Sequence, residues 1–333
     1  MKNKMSSRAM AAGLLALLLG LAVLSLLTGP VDIAAPRLLA GAWAGEMIPS
    51  RILLDLRVPR TVLCMAVGAA LGLSGAAMQG LLRNPLAEPG LLGVSSGAAL
   101  GAVLALYTGF ADTFILALPL AGFVGTALAV GFVFFLAGRQ TPTTTLILAG
   151  VAVSSLCGAL ISLVLNWSAS PQAVSEIVFW MMGSLADRST RDMALAVPFI
   201  ALGAGVLLGA RHGLAALSLG EEAAHTLGVN LSGLRSRVLV GCALCVGASV
   251  SVSGSIGFIG LVAPHLMRPW VQGSPARLLP LSALAGAVLL TVADLCVRWL
   301  QGTGPELKLG VLTALIGAPF FLALILHNRR SPT

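Results

Sequence analysis

Residues 61–82 read TVLCMAVGAALGLSGAAMQGLL and contain no charged side chain. A helix needs about 20 consecutive apolar residues to cross a bilayer, so this stretch predicts one membrane-spanning helix. Similar charge-free runs occupy residues 9–31, 113–138 and 140–165. Only 10% of the chain is charged, whereas a water-soluble domain carries about 25%. The composition therefore predicts a polytopic integral membrane protein.

We predict an all-α integral membrane fold in which residues 1–333 form a single transmembrane domain. The apolar segments indicate ten spans, at 10–29, 61–82, 91–107, 114–138, 143–165, 193–210, 238–252, 256–267, 278–297 and 309–326. The eighth is too short to cross a bilayer alone. We expect it to be a half-helix buried among its neighbours, because irregular backbone at membrane depth survives only inside protein or along a cavity.

The distribution of charge predicts the orientation of these spans. With the amino terminus inside, the inner segments carry a net charge of +9 and the outer segments −1. Lysine and arginine accumulate on the cytoplasmic side of membrane proteins. Both termini are therefore predicted to be cytoplasmic, and the overall charge of +8 does not require a nucleic-acid partner.

A weak internal repeat relates the two halves of the chain. A shift of 179 residues pairs Gly68 with Gly247, Gly75 with Gly254, and Pro85 with Pro264. The first copy runs inward and the second outward, so the repeat is predicted to be inverted. Transporters with inverted repeats place the substrate path between the two copies.

Several enzymatic functions are excluded or disfavoured by the sequence. A phosphate-binding Walker A loop requires a Gly-Lys pair, and no lysine here follows a glycine. Energy for transport must therefore come from a separate ATPase or from an ion gradient. The G-x-S-x-G match at 93–97 would suit a serine hydrolase, but a helix start capped by serine is the simpler interpretation. We predict no catalytic residues, no cofactor and no metal site.

The inner segment 211–237 contains signals of a short helix. Ser218 and Glu221 have the spacing of a capping box, and Gly228 suits the position just after a helix. These signals predict a helix within 217–229. Such a helix could act as a lever for a cytoplasmic partner or could be an ordinary interfacial helix, and the residues alone leave both interpretations open.

Three arginines lie at the predicted outer ends of spans, against the charge gradient. They are Arg57, Arg60 and Arg298. Arginine binds carboxylates with directional hydrogen bonds, so these residues could receive acidic side chains of a docking protein. The alternative is local pairing, such as Arg298 with Asp294 four residues earlier.

A family resemblance extends over nearly the whole chain. It is carried by RVPR at 57–60, GAALGLSG at 68–75, QGLLRNPLAEP at 79–89, GVSSG at 93–97, WMMGS at 180–184, LGEEAA at 219–224, GFIGLVAPH at 257–265 and TALIGAPFF at 313–321. In these motifs the sequence resembles the FecCD-type permeases of ABC importers for iron–siderophores, haem and cobalamin. One departure is Lys308, where many relatives have proline.

The resemblance implies a homodimeric permease of the bacterial inner membrane, with ten helices per protomer and the path at the dimer interface. Two nucleotide-binding subunits, which hydrolyse the ATP, would dock on the inner helix through Ser218, Leu219, Gly220, Glu221, Glu222, Ala223, Ala224, Leu227 and Gly228. A periplasmic substrate-binding protein would present glutamates to Arg57, Arg60 and Arg298. Candidates for the path and its gate are Met78, Gln79, Asn84, Pro85, Trp180, Met181 and Met182.

The expected cargo is an iron chelate, with haem favoured by the similarity of the Trp180–Ser184 stretch to haem-uptake relatives. A siderophore or cobalamin permease of the same family is the alternative. A secondary transporter driven by an ion gradient is the alternative from another class. That class needs ionisable residues inside the membrane, and the predicted spans contain very few.

Overall fold

The computed structural model describes residues 7–29, 33–114, 116–138, 143–168, 170–271, 273–300 and 307–329. Within these ranges every regular element is a helix, which confirms the all-α prediction. The α-helices are α1 (Ser7–Leu27), α2 (Ala35–Trp43), α3 (Met47–Arg51), α4 (Val58–Leu81), α5 (Val94–Tyr107), α6 (Ala117–Ala137), α7 (Thr143–Trp167), α8 (Pro171–Met181), α9 (Thr190–Gly209), α10 (Arg211–Leu217), α11 (Glu221–Thr226), α12 (Leu231–Ser253), α13 (Ile259–Met267), α14 (Pro275–Leu300) and α15 (Leu309–Arg329).

Seven helical runs in the described part of the chain are long and apolar enough to cross a bilayer. They comprise α1, the continuous run Met47–Leu81, α6, α7, α9, α12 and α14. The predicted spans at 91–107, 256–267 and 309–326 coincide with α5, α13 and α15, of which α13 has only nine residues. Each predicted span therefore overlaps a helix, while ten crossings remains a prediction.

One predicted boundary is wrong for an identifiable reason. Helix α12 begins at Leu231 rather than at 238, because the Asn230 side chain accepts a hydrogen bond from the Gly233 amide at 3.0 Å and caps the helix. Residues 30–60, between the first two predicted spans, also contain regular structure. Their described part forms α2 and α3, and a π-helical turn at Ile52–Arg57 joins α3 directly to α4.

Glycine allows the central helices to approach until their backbones touch. A Cβ atom on Gly72 would collide with the Ser282 carbonyl oxygen of α14, and one on Gly75 would collide with the Gly260 carbonyl oxygen of α13. Small residues at helix interfaces are the usual basis of close packing in membranes. Helix α4 is therefore the central element, with α14 and α13 packed against it.

The short helix α13 begins inside the bundle, as predicted for the eighth span. Phe258 precedes it with φ +67°, an uncommon conformation for a bulky side chain. The helix then packs against α4 through Gly260 and ends at Met267, beside Arg268. At this break Ile256 and Ile259 are buried, whereas Phe258 is partly buried and Ser255 is exposed, so the protein covers the break only in part.

Candidate functional site

Two of the three predicted outer arginines, Arg60 and Arg298, converge on one buried carboxylate. Arg60 donates from Nε and Nη2 to Asp294 Oδ1, at 3.0 and 2.8 Å. Arg298 also pairs with Asp294, through Oδ2. The Asp294 side chain is only 1% exposed. The local pairing of Arg298 with Asp294 is therefore present, and Arg60, more than two hundred residues away in sequence, joins it.

The same arginines hold the outer end of α1. Arg57 Nη1 donates to the Leu27 carbonyl oxygen at 2.8 Å, and Arg298 Nη1 donates to the Ser25 carbonyl oxygen at 2.9 Å. The last carbonyl groups of a helix lack partners within the helix, and guanidinium groups satisfy them. Arg57, Arg60 and Arg298 thus have structural contacts inside the protomer, and docking of a binding protein stays a prediction.

A small cavity of about 70 Å³ opens among these arginines. Its lining includes Arg57, Arg60, Arg298 and a residue that the sequence analysis did not select, Arg188. Within the described chain, the Nε atoms of Arg188 and Arg298 are buried without a hydrogen-bond partner. A buried donor without a partner is costly, so this cavity is suited to an incoming acceptor such as a carboxylate.

The opposite end of the bundle carries the predicted coupling segment. The helix there is α11, Glu221–Thr226, shorter than the predicted 217–229. The predicted capping box is wrong: the residue that precedes α11 is Gly220, and Ser218 instead donates to the Ala215 carbonyl oxygen at 2.6 Å. Ser218 belongs to the end of α10, because a tight turn at Gly220, with φ +119°, separates the two helices.

The end of α11 follows the prediction for Gly228. This residue has φ +80°, and its amide donates to the His225 carbonyl oxygen at 2.9 Å. The Val229 amide donates to the Ala224 carbonyl oxygen at 3.0 Å, which completes a Schellman motif. Glycine is favoured at such a left-handed position because it has no side chain to strain the backbone.

The coupling segment presents apolar side chains to solvent. Leu219 and Leu227 are 69% and 63% exposed, on either side of α11. Glu221 accepts a hydrogen bond from Arg235 of α12 at 3.0 Å, which links the short helix to the bundle. Ala224 is buried, and Glu222 is exposed. Exposed leucines on a small, anchored helix suit contact with a partner protein.

The candidate path residues divide between the two ends of the bundle. At the end that carries the coupling segment, Gln79 and Pro85 line a cavity of about 240 Å³ together with Ser218. Asn84 is exposed there and its Oδ1 accepts from the Leu86 amide, at 2.9 Å. Met78 is fully buried within the protomer. The structure therefore brings part of the predicted gate next to the predicted coupling segment.

The remaining candidates lie at the opposite end, where α8 meets α12 and α15. Trp180 and Lys308 line a cavity of about 360 Å³ there, and Lys308 Nζ lies 5.8 Å from the centre of the Phe179 ring. Met181 is partly buried, and Met182 is 38% exposed. The unusual Lys308 thus makes a cation–π contact beside the Trp180–Met182 stretch.

The sequence matches one family of transport proteins over nearly its whole length. Residues 17–327 match the FecCD transport family. The chain belongs to that family. It is 44% identical over 287 residues to the hemin transport system permease protein HmuU of Yersinia pestis, covering 84% of each chain. It is 42% identical over 273 residues to the cobalamin import system permease protein BtuC of Halobacterium salinarum, covering 81% of this chain and 72% of that protein.

A solved structure of another protein has the same fold as this FecCD protein. A metal-chelate type ABC transporter in an inward-facing conformation aligns with a TM-score of 0.85 and 34% identity, covering 95% of this chain and 98% of that one. The FecCD protein is therefore the permease of an ABC importer, a class that works with ATPase and substrate-binding partners.

Sequence reasoning did not select two residues that hold the half-helix α13 of this FecCD permease. Glu88 accepts a hydrogen bond from the Phe258 amide at 3.3 Å, at the start of α13. Arg268, at its end, donates to Gln79 Oε1 at 2.6 Å. Both contacts join segments far apart in the chain, so no local pattern could have predicted them. Glu88 lies within the NPLAEP motif, which was the one available signal.

Proposed function

We propose that this FecCD permease moves an iron chelate, with haem as the first candidate, from the periplasm to the cytoplasm. It would work as a homodimer in the bacterial inner membrane, with the path between the two copies and both termini cytoplasmic. The observation that carries the proposal is the difference between the two ends of the molecule. One end has an arginine-lined cavity, and the other has a short, anchored helix flanked by exposed leucines. The 44% identity to a hemin permease supports haem as a cargo, and the 42% identity to a cobalamin permease supports cobalamin as the alternative within the family.

The mechanism that suits this arrangement is alternating access. Two ATPase subunits would bind the segment around α11 and move it as they close on ATP. Because Ser218 and Gln79 line the same cavity, that movement would reach the inner end of α4 directly. The cargo must interact differently with the outward and inward states, since otherwise it cannot be coupled to the change.

Transport by the reconstituted complex tests this proposal. Proteoliposomes containing the permease, its ATPase and its binding protein should accumulate haem only when ATP is supplied to the ATPase side. Cobalamin and a ferric siderophore, offered with the same binding protein, should accumulate much less. Uptake driven by a proton or sodium gradient without ATP would instead support the secondary-transporter alternative.

The exposed leucines of the coupling segment give a first prediction. Changing Leu219 and Leu227 together to alanine should weaken ATPase-subunit binding by roughly tenfold to a hundredfold, because each leucine loses part of a buried contact. Leu128→Ala with Leu148→Ala is the matched control, since these leucines are 69% and 68% exposed but lie on α6 and α7. Equal ATPase affinity for both double variants, measured by surface plasmon resonance, would exclude a docking role for the segment.

Docking of the binding protein gives a second prediction, which centres on Arg188. The three predicted arginines have internal contacts, so Arg188 is the least disruptive member of the cavity to change. Arg188→Glu should lower the association rate and affinity for the binding protein by about tenfold, because it reverses charge where carboxylates would arrive. Arg191→Glu, an exposed neighbour outside the cavity, should have little effect. If the two variants bind alike, the cavity is not the docking site.

A further inference from the structure

Two short helices, α2 and α3, form a helix pair at the end of the bundle that carries the arginine-lined cavity. Gly41 of α2 lies against Pro49 of α3, because a Cβ atom on Gly41 would approach the Pro49 ring to 2.7 Å. A turn with Gly45 at φ +76° connects the two helices. The π-helical turn Ile52–Arg57 then attaches the pair to α4, and Arg57 binds carbonyl groups at the end of α1. The attachment point of the helix pair is therefore level with the outer end of α1.

The helix pair presents a continuous apolar surface. Pro36, Ala40 and Trp43 are spaced four and three residues apart, so they share one face of α2, and all three are exposed. Trp43 is 95% exposed, and Met47 and Ile48, just after the turn, are 70% and 69% exposed. Large apolar side chains grouped in this way mark a site of contact with a protein or a membrane.

Two further exposed tryptophans lie at the same end of the bundle. Trp299 is 89% exposed and follows Arg298, which binds carbonyl groups around the end of α1. Trp167, the last residue of α7, is 70% exposed and follows Val164, which packs in the same apolar cluster as Trp180. Tryptophan is enriched where membrane helices meet the headgroup region. The membrane–water interface is therefore expected at the level where the helix pair is attached.

We infer that the helix pair lies along the membrane surface at this end and inserts Trp43, Met47 and Ile48 between phospholipid headgroups. Short amphipathic helices with tryptophan on the apolar face bind membranes in this way, with that face at the boundary between headgroups and acyl chains. The three side chains would then be covered by lipid, while the attachment through Ile52–Arg57 keeps the pair beside the bundle.

The length of the helical run that includes α3 agrees with this placement. The run Met47–Leu81 has 35 residues, so it would be about 52 Å long if straight. The hydrocarbon core of a bilayer is only about 30 Å thick, and the first part of the run must therefore lie beyond the core. The π-helical turn at Ile52–Arg57 is a place where the run can bend towards the membrane surface.

Phospholipid is favoured over a protein as the occupant because it is always present. A binding protein that docks and leaves in each cycle would expose Trp43 to water between encounters, which is unfavourable for a large apolar side chain. The charges of this segment are balanced, with Arg37 and Arg51 against Glu46 and Asp55, all of them exposed. We therefore expect no preference for a headgroup charge. Assignment to the periplasmic leaflet rests on the orientation in the proposed function, whereas insertion itself does not.

Quenching of tryptophan fluorescence tests the insertion, in nanodiscs that hold the permease without ATPase or binding protein. The Trp43 signal is the difference in emission between the unmodified chain and Trp43→Phe. Phosphatidylcholine brominated near the headgroup end of its acyl chains should quench this signal by about half or more, because the indole would lie at that depth. Glu222→Trp, made in Trp43→Phe, is the control at an exposed position on α11. Its added signal should be quenched by acrylamide in the water and not by the brominated lipid.

A second pair of variants tests whether the apolar surface holds the helix pair in the lipid. Ile48→Glu should lower the quenching of Trp43 by brominated lipid about twofold or more, because a carboxylate is costly to move out of water. Arg37→Gln changes an exposed side chain that is already polar and should leave the quenching unchanged.

Two results with the unmodified permease would overturn the proposal. If acrylamide quenches Trp43 and brominated lipid does not, the helix pair stands in water, and shielding of Trp43 on addition of the binding protein would then identify that protein as the occupant. If neither reagent quenches Trp43, a second copy of the chain covers it. Because no ATPase or cargo is present, these results are independent of the proposed transport function.

Discussion

A single methyl group added at Gly75 should strongly destabilise the helix bundle and lower its unfolding temperature. In Gly75→Ala the new Cβ, whose position is fixed by the α4 backbone, would overlap the carbonyl oxygen of Gly260, which belongs to the α13 backbone and not to a movable side chain. Overpacking a core costs about 1–3 kcal/mol when side chains can shift, and we expect at least the upper end here. The physical reason is that α4 and α13 would have to separate along their whole contact.

The neighbouring Gly80 supplies a matched control on the same helix. A Cβ at Gly80 would lie 3.6 Å from the nearest Leu214 side-chain carbon, which is ordinary van der Waals contact. Gly80→Ala should therefore give a normal yield and melting temperature in detergent, measured by fluorescence-detected size exclusion and by thermal unfolding. If both alanine variants unfold at the same temperature, the close approach of α4 and α13 is not what stabilises the bundle.

The second large effect is expected at Asp294. In Asp294→Asn, Arg60 and Arg298 lose their shared counter-charge while their side chains remain 11% and 5% exposed. Removing one partner of a buried ion pair costs about 3–5 kcal/mol, since the remaining charge is left uncompensated. The outer ends of α1, α4 and α14 should all loosen, because these arginines also bind α1.

Thermal unfolding in detergent measures this loss, and Asp55→Asn is its control at an exposed position. A double variant sharpens the test. Asp294→Asn combined with Arg60→Gln should recover part of the lost stability, because one of the two uncompensated charges is removed. No difference between Asp294→Asn and Asp55→Asn would show that the charge cluster is dispensable for folding.

The transmembrane helices could be predicted because apolarity is a local property of the chain. Residues 61–82 identify α4 without any knowledge of its neighbours, and the shortness of α13 follows from its own residues. The start of α12 was placed too late because Arg235 and Arg237 suggest a loop. The Asn230 cap that extends the helix was overlooked, although it is visible in the sequence.

The candidate site was predictable only where its contacts are close in sequence. Arg298 and Asp294 are one helical turn apart, and Gly228 follows its helix directly, so both could be anticipated. Arg60 reaches Asp294 across 234 residues. Ser218 had the spacing of a cap, but the turn at Gly220 placed it in another helix. Spacing alone could not show whether Ser218 would cap α11 or belong to the end of α10.

The contacts at both ends of α13 constrain how this permease can change shape. Glu88 holds Phe258, the residue before α13, Arg268 joins the other end to Gln79, and Gly260 lies against Gly75 between them. Two of these contacts join α13 or the residue after it directly to α4, so we expect α4 and α13 to move together. The hinges of the transport cycle should therefore lie outside this pair, and the glycine at 220, where a positive-φ turn leads into α11, is one place where such a rotation can begin.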